Sequence, residues 1–460
     1  MYTAEQTREA INALLGARSI AVVGASPDPA KYGYLTMDNI LQGGFTGKVY
    51  PINPKAPEVL GHKAYPSLSD LPEVPDVIVL TIPSKGVVGV IREAGELGVK
   101  AAIIITGGFR EIGRQDLEDE LAAAAKATGL RFVGPNIQGI NYLPNKMNAV
   151  FFPVLHKLGK IAIVSGSGTV TAALCNWAED EALGISAAIN LGNQTDLCEC
   201  DFLEYFAEDP NTNVIALYIE GVRSGKRFLE TLRRVAPKKP LVVLKGGRTA
   251  AGLKSAASHT GALAGDHAVF SSACRQYGAV VVTELETMYD AAKSLALLPV
   301  NVGRRMVNIS SSGGAGTLAC DEAETQGLLV PALPEKCVEE LRAAPLSDNA
   351  SLSNPLDLAA FEADGFQAAA RIVDRHGVAD IINLNYGDPV PGGVEAAVHL
   401  RDTCKATIAV TYFGGGQLEK DGRIAMHEAG IPVYATPERA MRGLAAVAWL
   451  TEYRAKRGLK

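Results

Sequence analysis

Residues 159–180 read GKIAIVSGSGTVTAALCNWAED: an apolar run, a Ser/Gly turn, then a segment of helical period. Residues 308–324, NISSSGGAGTLACDEAE, repeat that order with little identity. An uninterrupted apolar run of this length is a strand covered on both faces, which is the habit of a parallel sheet. The run recurs along the chain: RSIAVVGAS (18–26), DVIVLTIPS (76–84), VKAAIIITGG (99–108), NVIALYIEG (213–221), PLVVLKGG (240–247), IINLNYG (381–387), ATIAVTYFGGG (406–416) and IPVYATP (431–437). Between these runs lie Ala-, Glu- and Leu-rich stretches such as QDLEDELAAAAKATG, so strand alternates with helix and the fold class is α/β throughout.

The chain has 460 residues, enough for about three domains. The punctuation divides it at 1–145, 146–300 and 301–460. Hydrophobic residues make up 47% and charged residues 20%, which excludes a disordered or fibrous protein. Lys+Arg 44 against Asp+Glu 50 leaves a net charge of -6, so neither nucleic acid nor an anionic membrane is expected as a partner. The apolar runs are strand-sized, too short to span a bilayer, and the N-terminus lacks a basic-then-apolar signal pattern. The seven cysteines form no repeated CxxC framework, as expected of reduced thiols in a cytoplasmic protein. Cys198 and Cys200 are spaced CxC without a second ligand pair, and no metal is expected.

In open parallel sheets, ligands sit beyond the carboxyl ends of the strands. In the first unit those ends carry Gly24, Ala25 and Ser26 with Lys31 following, then Asn53 and Lys55, Thr81 and Pro83, Thr106 and Gly107, and the turn Gly134-Pro135-Asn136. Small and polar residues converging on one edge make a cleft for a phosphate-bearing ligand. There is no GxGxxG, and Lys55 stands where an NAD enzyme would place an acid. Lys55 reads equally as a phosphate partner or as a solvated loop residue.

Fifteen of the twenty residues in 246–265, GGRTAAGLKSAASHTGALAG, are Gly, Ala, Ser or Thr. The segment reads as an open loop around His259, whose neutral imidazole is a competent nucleophile near pH 7. The same histidine also reads as an idle surface residue. Helix N-termini supply the donors that a phosphoryl group needs. Two are offered, by Ser165, Gly166, Ser167 and Gly168, and by Ser312, Gly313 and Gly314 after Ser311. Glu220, at the end of its strand, either orients the imidazole or caps the next helix.

The pieces VVGAS, YPINPK, LTIPS, ITGGFREIG and GPNIQGI, in that order, resemble the CoA-binding domain of the succinyl-CoA synthetase superfamily. KSAASHTGALAG resembles the phosphohistidine segment of the NDP-forming acyl-CoA synthetases. IVSGSGT is similar to that family's phosphate-binding turn, usually SQSG, with Gly166 in place of Gln. ISSSGGAG, NPLDL (354–358) and YIEG extend the resemblance over essentially the whole chain. It departs at Ile137, where the family commonly has a Cys.

The resemblance implies a Rossmann-like CoA-binding domain followed by two flavodoxin-like, succinyl-CoA-ligase-like domains. It implies the α subunit of an acid–thiol ligase that converts acyl-CoA, phosphate and ADP to acid, CoA and ATP through an acyl phosphate and a phosphohistidine on His259, with Glu220 orienting it. CoA occupies the first cleft, and phosphate the two Ser/Gly turns. No segment looks like an ATP-grasp module or a Walker A motif. ADP/ATP with Mg2+ is therefore expected on a separate ATP-grasp β subunit, in an α2β2 assembly. The rivals are a non-catalytic CoA-binding sensor or scaffold, and an NADP-dependent dehydrogenase built on the first unit.

Overall fold

The computed structural model describes residues 3–260 and 266–459, with the side chains of 257–260 outside that description. The chain forms two compact units, Met1–Glu179 with Gly184–Tyr277, and Asp180–Leu183 with Gly278–Lys460.

The first unit holds two sheets. In one, five parallel strands lie in the order Lys48–Ile52, Ser19–Val23, Val77–Leu80, Ala101–Ile104, Arg131–Val133. The middle strands are buried at every position, as their unbroken apolar runs require when helices cover both faces. Numbered along the chain, the order is 2-1-3-4-5, the doubly wound arrangement with its switch point between the first and third strands.

In the other sheet, four parallel strands run Leu241–Lys245, Val214–Ile219, Leu158–Ser165, Ile185–Asn190. Two antiparallel strands, Gly139–Tyr142 and Met147–Val150, extend it. The second unit holds a six-stranded sheet in the order Ser351–Leu352, Leu356–Asp357, Met306–Ser310, Ile381–Tyr386, Thr407–Tyr412, Val433–Tyr434, parallel except for the first. Numbered along the chain, the parallel strands follow 2-1-3-4 in the former sheet and 2-1-3-4-5 in the latter, so the architecture written twice in the sequence occurs three times in the fold.

The segment read as a loop around His259 is helical over Ala250–Thr260. Its alanines favour helix, and Thr249 starts it by accepting the Gly252 amide on its hydroxyl (3.2 Å) and the Leu253 amide on its carbonyl (2.8 Å). Ala256 alone of 250–256 is fully buried, so the helix adds little to the core. Among the described residues, no helix is long and apolar enough to cross a membrane.

Candidate active site

The first candidate site is the carboxyl edge of the five-stranded sheet. Strand Ser19–Val23 stops because Gly24 turns at φ +94°, its amide reaching the Ile52 carbonyl (3.1 Å). A Cβ on Gly24 would stand 2.8 Å from the Thr81 hydroxyl, which itself donates to the Val23 carbonyl (3.1 Å). Gly24 and Thr81 thus face each other across the switch point. Ala25 is buried and its carbonyl accepts from the Asn53 amide (2.7 Å), while Asn53 Oδ1 accepts the Lys55 amide (2.8 Å). Asn53 is therefore a turn-builder, and Lys55 beyond it is exposed. The Ser26 hydroxyl accepts the Asp28 amide (3.1 Å). Lys31 is an exposed N-cap of helix Tyr32–Gln42, and Pro83 is the N-cap of helix Ser84–Leu97.

On the far side, Thr106 donates to the Ile82 carbonyl (2.8 Å), and its own carbonyl accepts the Asn136 amide (2.9 Å). Asn136 is exposed at φ +62°, after a cis Gly134-Pro135 bond. A Cβ on Gly107 would stand 3.2 Å from Asn136 Oδ1. Except for Lys31, which starts a helix, the residues expected from the sequence at this edge lie just beyond strand ends on one side of the sheet.

Three contributors escaped the sequence reading. Gly33 packs so close that a Cβ would lie 1.9 Å from the Gly24 carbonyl oxygen. The ring of Tyr32 lies 4.5 Å from that of Phe151. The loop 191–196 docks on the Gly-Pro-Asn turn, with Asn193 and Thr195 amides on the Pro135 (3.0 Å) and Gly134 (3.2 Å) carbonyls. The Asn193 side chain also donates to Glu111 (2.7 Å) and Glu118 (2.9 Å). Burial pushes the Glu111 carboxyl up, but hydrogen bonds from Asn193, Gly108 and Phe109 outweigh it and hold the pKa below the usual range.

The second candidate site lies at the other switch point in this unit, between strands Leu158–Ser165 and Val214–Ile219. The Gly166 amide donates to the Tyr218 carbonyl (3.0 Å), which ties the turn Ser165–Gly168 to the end of the strand that leads into Glu220. The buried Ser165 hydroxyl accepts the Ser167 amide (3.1 Å) and donates to the Ser167 carbonyl (2.9 Å). Helix Gly168–Asp180 begins at this turn. Tyr218, unmarked in the sequence reading, donates to Glu220 Oε1 (3.2 Å). Burial, then the Glu220 carboxylate, pushes the Tyr218 phenol up to about 12, so it stays a donor at neutral pH. Two carboxamides flank the turn: Gln138, 2.6 Å from where a Cβ of Gly168 would stand, and Gln194, 3.6 Å from that of Gly166. His259 lies near the end of helix Ala250–Thr260, and its side chain lies outside the described residues.

In the second unit, Ser312 is the N-cap of helix Gly313–Thr325. The Ser310 hydroxyl accepts the Ser312 amide (3.1 Å) and donates to its carbonyl (2.7 Å). The Ser311 amide reaches the Asn385 carbonyl (3.2 Å) across this sheet's switch point. The Asp357 carboxylate comes within 3.0 Å of where a Cβ of Gly313 would be, which explains a glycine there.

A doubly wound sheet with small and polar residues at its strand ends, followed by Ser/Gly turns at helix N-termini, points to a class, the succinyl-CoA-ligase-like α/β proteins. Residues 18–142 match the family model described as a CoA binding domain, and 158–295 that of a succinyl-CoA ligase like flavodoxin domain. The chain belongs to the ADP-forming acetate–CoA ligase family. It is 36% identical to the alpha subunit of acetate–CoA ligase [ADP-forming] I of Pyrococcus furiosus, over 97% of this chain and 99% of the relative. Isoenzyme II of the same organism has an alpha subunit that is also 36% identical, over 92% and 93%. Among solved structures, the dinucleotide forming acetyl-coenzyme A synthetase 1 of Ca. Korarchaeum cryptofilum, in complex with phosphate and ADP, superposes with a TM-score of 0.89. That match is at 35% identity and covers 98% of this chain and 99% of that one.

Proposed function

We propose that this chain is the α subunit of an ADP-forming acyl-CoA synthetase, catalysing the reversible reaction of acyl-CoA, phosphate and ADP to acid, CoA and ATP. The observation that carries the reading is the Ser165–Gly168 turn, bonded to Tyr218 across a switch point, in a chain of this family. Its assembly with an ATP-grasp β subunit as α2β2, its cytoplasmic location and the division at 145 and 300 belong to the same proposal. So do the roles of the cleft residues from Gly24 to Asn136 in holding CoA.

A phosphate oxygen attacks the thioester carbonyl; the C–S bond breaks and CoA leaves as the thiol, taking one proton. An imidazole nitrogen of His259 then attacks phosphorus in the acyl phosphate, and the P–O bond to the acid breaks, releasing carboxylate. A terminal oxygen of ADP takes the phosphoryl group as the P–N bond breaks. The free amides of helix Gly168–Asp180 and of helix Gly313–Thr325 stabilise the charge on the phosphoryl oxygens. Glu220, itself held by Tyr218, orients the imidazole. Mg2+ bound with the nucleotide on the partner subunit would supply charge neutralisation for the diphosphate.

The test is incorporation of radiolabelled phosphate from a panel of acyl-CoAs, with the partner subunit present and a His259→Ala control. Acid-labile, base-stable label on the wild type alone supports the reading, and the best acyl-CoA names the substrate class. Absence of label with both subunits and ATP overturns it.

A further inference from the structure

Cys198 is the N-cap of helix Glu199–Glu208, in extended conformation, and Cys200 is the second residue of that helix. Cys198, Glu199 and Cys200 are 4%, 1% and 1% exposed, yet the two sulfurs and a Glu199 carboxylate oxygen all lie within 4.8 Å of one another. The Cys200 thiol reaches Glu199 Oε1 at 3.5 Å, and Glu199 Oε2 is buried with no hydrogen-bond partner among the described residues. A buried carboxylate oxygen left without a donor is costly. Arg227 donates to the Cys198 sulfur (3.4 Å), its charge met by Asp201 at 2.5 Å, so it does not leave a free positive charge beside the sulfurs. All three residues line a groove of about 1180 Å³ between the first helix of the chain and helices Glu199–Glu208 and Gly225–Val235, which gives an ion a path in.

We propose that Cys198, Glu199 and Cys200 bind a thiophilic divalent cation of the Zn2+ type, with its fourth position open to the groove. Tetrahedral bonds of about 2.3 Å to sulfur and 2.0 Å to oxygen set donor atoms roughly 3.5–3.8 Å apart. The observed cluster, within 4.8 Å, is about 1 Å wider than that spacing. Two thiolates favour Zn2+ over Mg2+ or Ca2+, which take oxygen donors. Binding releases the two thiol protons, and any proton on Glu199, to solvent. The ion gives Glu199 Oε2 the partner it lacks and fastens the start of the helix. The CxC spacing alone does not disclose the site, because its third ligand is the residue between the cysteines. The inference is independent of the acyl-CoA reaction.

The test uses the full chain, expressed without a polyhistidine tag, reduced, stripped with a chelator and titrated with Co2+. The expected result is a thiolate-to-cobalt charge-transfer band that saturates at one ion per chain and is displaced by Zn2+. Cys198→Ser and Cys200→Ser each weaken binding beyond the roughly 10–100-fold typical of losing an outer-shell partner. Glu199→Gln weakens binding but keeps the band. Cys274→Ser, at a buried thiol elsewhere, changes nothing. No band in the wild type, or a band that survives the double serine variant, overturns the proposal. Should the serine variants fail to fold, the wild-type spectrum decides, since its intensity distinguishes two thiolate ligands from none.

Discussion

The hydroxyl of Ser165 holds both ends of the Ser167 peptide unit, taking its amide at 3.1 Å and giving its proton to the carbonyl at 2.9 Å. Ser310 does the same to Ser312, at 3.1 and 2.7 Å. Each turn is closed by its own side chain, and helices Gly168–Asp180 and Gly313–Thr325 start from the turns so fixed. Removing either hydroxyl forfeits two buried hydrogen bonds, about 1–3 kcal/mol. Ser165→Ala and Ser310→Ala are expected to raise the KM for phosphate about tenfold or more and leave CoA affinity unchanged, as steady-state kinetics and calorimetry would reveal.

Gly33→Ala places a methyl group 1.9 Å from the Gly24 carbonyl oxygen. The helix must retreat from the turn, costing about 1–3 kcal/mol as other overpacked sites do. Isothermal titration with CoA should show affinity at least tenfold lower, while phosphate exchange onto His259 from an added acyl phosphate persists.

Glu220→Gln keeps shape but removes the charge that orients the imidazole. The initial rate of phosphohistidine formation should fall roughly 10–100-fold. Tyr218→Phe, which removes only the 3.2 Å bond to Glu220, should give a smaller loss and shift the pH profile of the same step.

Arg131, 4% exposed, pairs with both oxygens of Asp196 (2.9 and 2.8 Å). Burial raises the Asp196 carboxyl and Arg131 opposes that rise. Arg131→Met leaves the carboxylate buried without its cation and should destabilise the first unit by about 3–5 kcal/mol in urea unfolding. The double variant with Asp196→Leu should recover most of that loss.

His427 is buried in the second unit, where its Nδ1 donates to the Glu181 carbonyl (2.9 Å) and its Nε2 accepts the Val433 amide (3.1 Å). Burial, then the Lys293 ammonium, lowers its pKa to about 4. Between pH 4 and 6.5 the unfolded chain therefore binds a proton that the folded chain refuses. Stability falls as pH drops through that window, by roughly 3 kcal/mol in all. Glu181 is raised by burial but pulled to about 2 by Lys293, His427 and Arg423, and it adds a further loss below pH 4.5. His427→Gln should flatten the slope between pH 6.5 and 4 in thermal melts while leaving the loss below it.

Much of the fold is legible in runs such as SIAVV and VIVL, because a fully buried strand needs an unbroken apolar sequence. The strand Ile185–Asn190, ISAAIN, is not so legible: its serine and alanines carry too weak a signal, although every position is buried. The segment containing His259 went the other way. Its small residues look like a loop, and local backbone preference made a helix of them.

The residues from Gly24 to Asn136 stand out in the sequence because all but Lys31 closely follow a strand, and chain direction puts such residues on one edge of a parallel sheet. Gly33, Asn193 and Tyr218 do not, since what marks them is an approach from distant chain: a carbonyl 1.9 Å from a missing methyl, two carboxylates sharing one amide, a phenol on Glu220.

By itself the sequence determined the alternation of strand and helix, the three Gly-rich turns and the family, since these depend on residue type and short spacing. Only the tertiary structure decided that the parallel strands of all three sheets start in one order, that Gly24 meets Thr81 and Gly166 meets Tyr218 across switch points, and that two sulfurs and a carboxylate close on one another at Cys198–Cys200. Strand order and burial are properties of the packed chain, set by which surfaces exclude water together, and no local pattern records them.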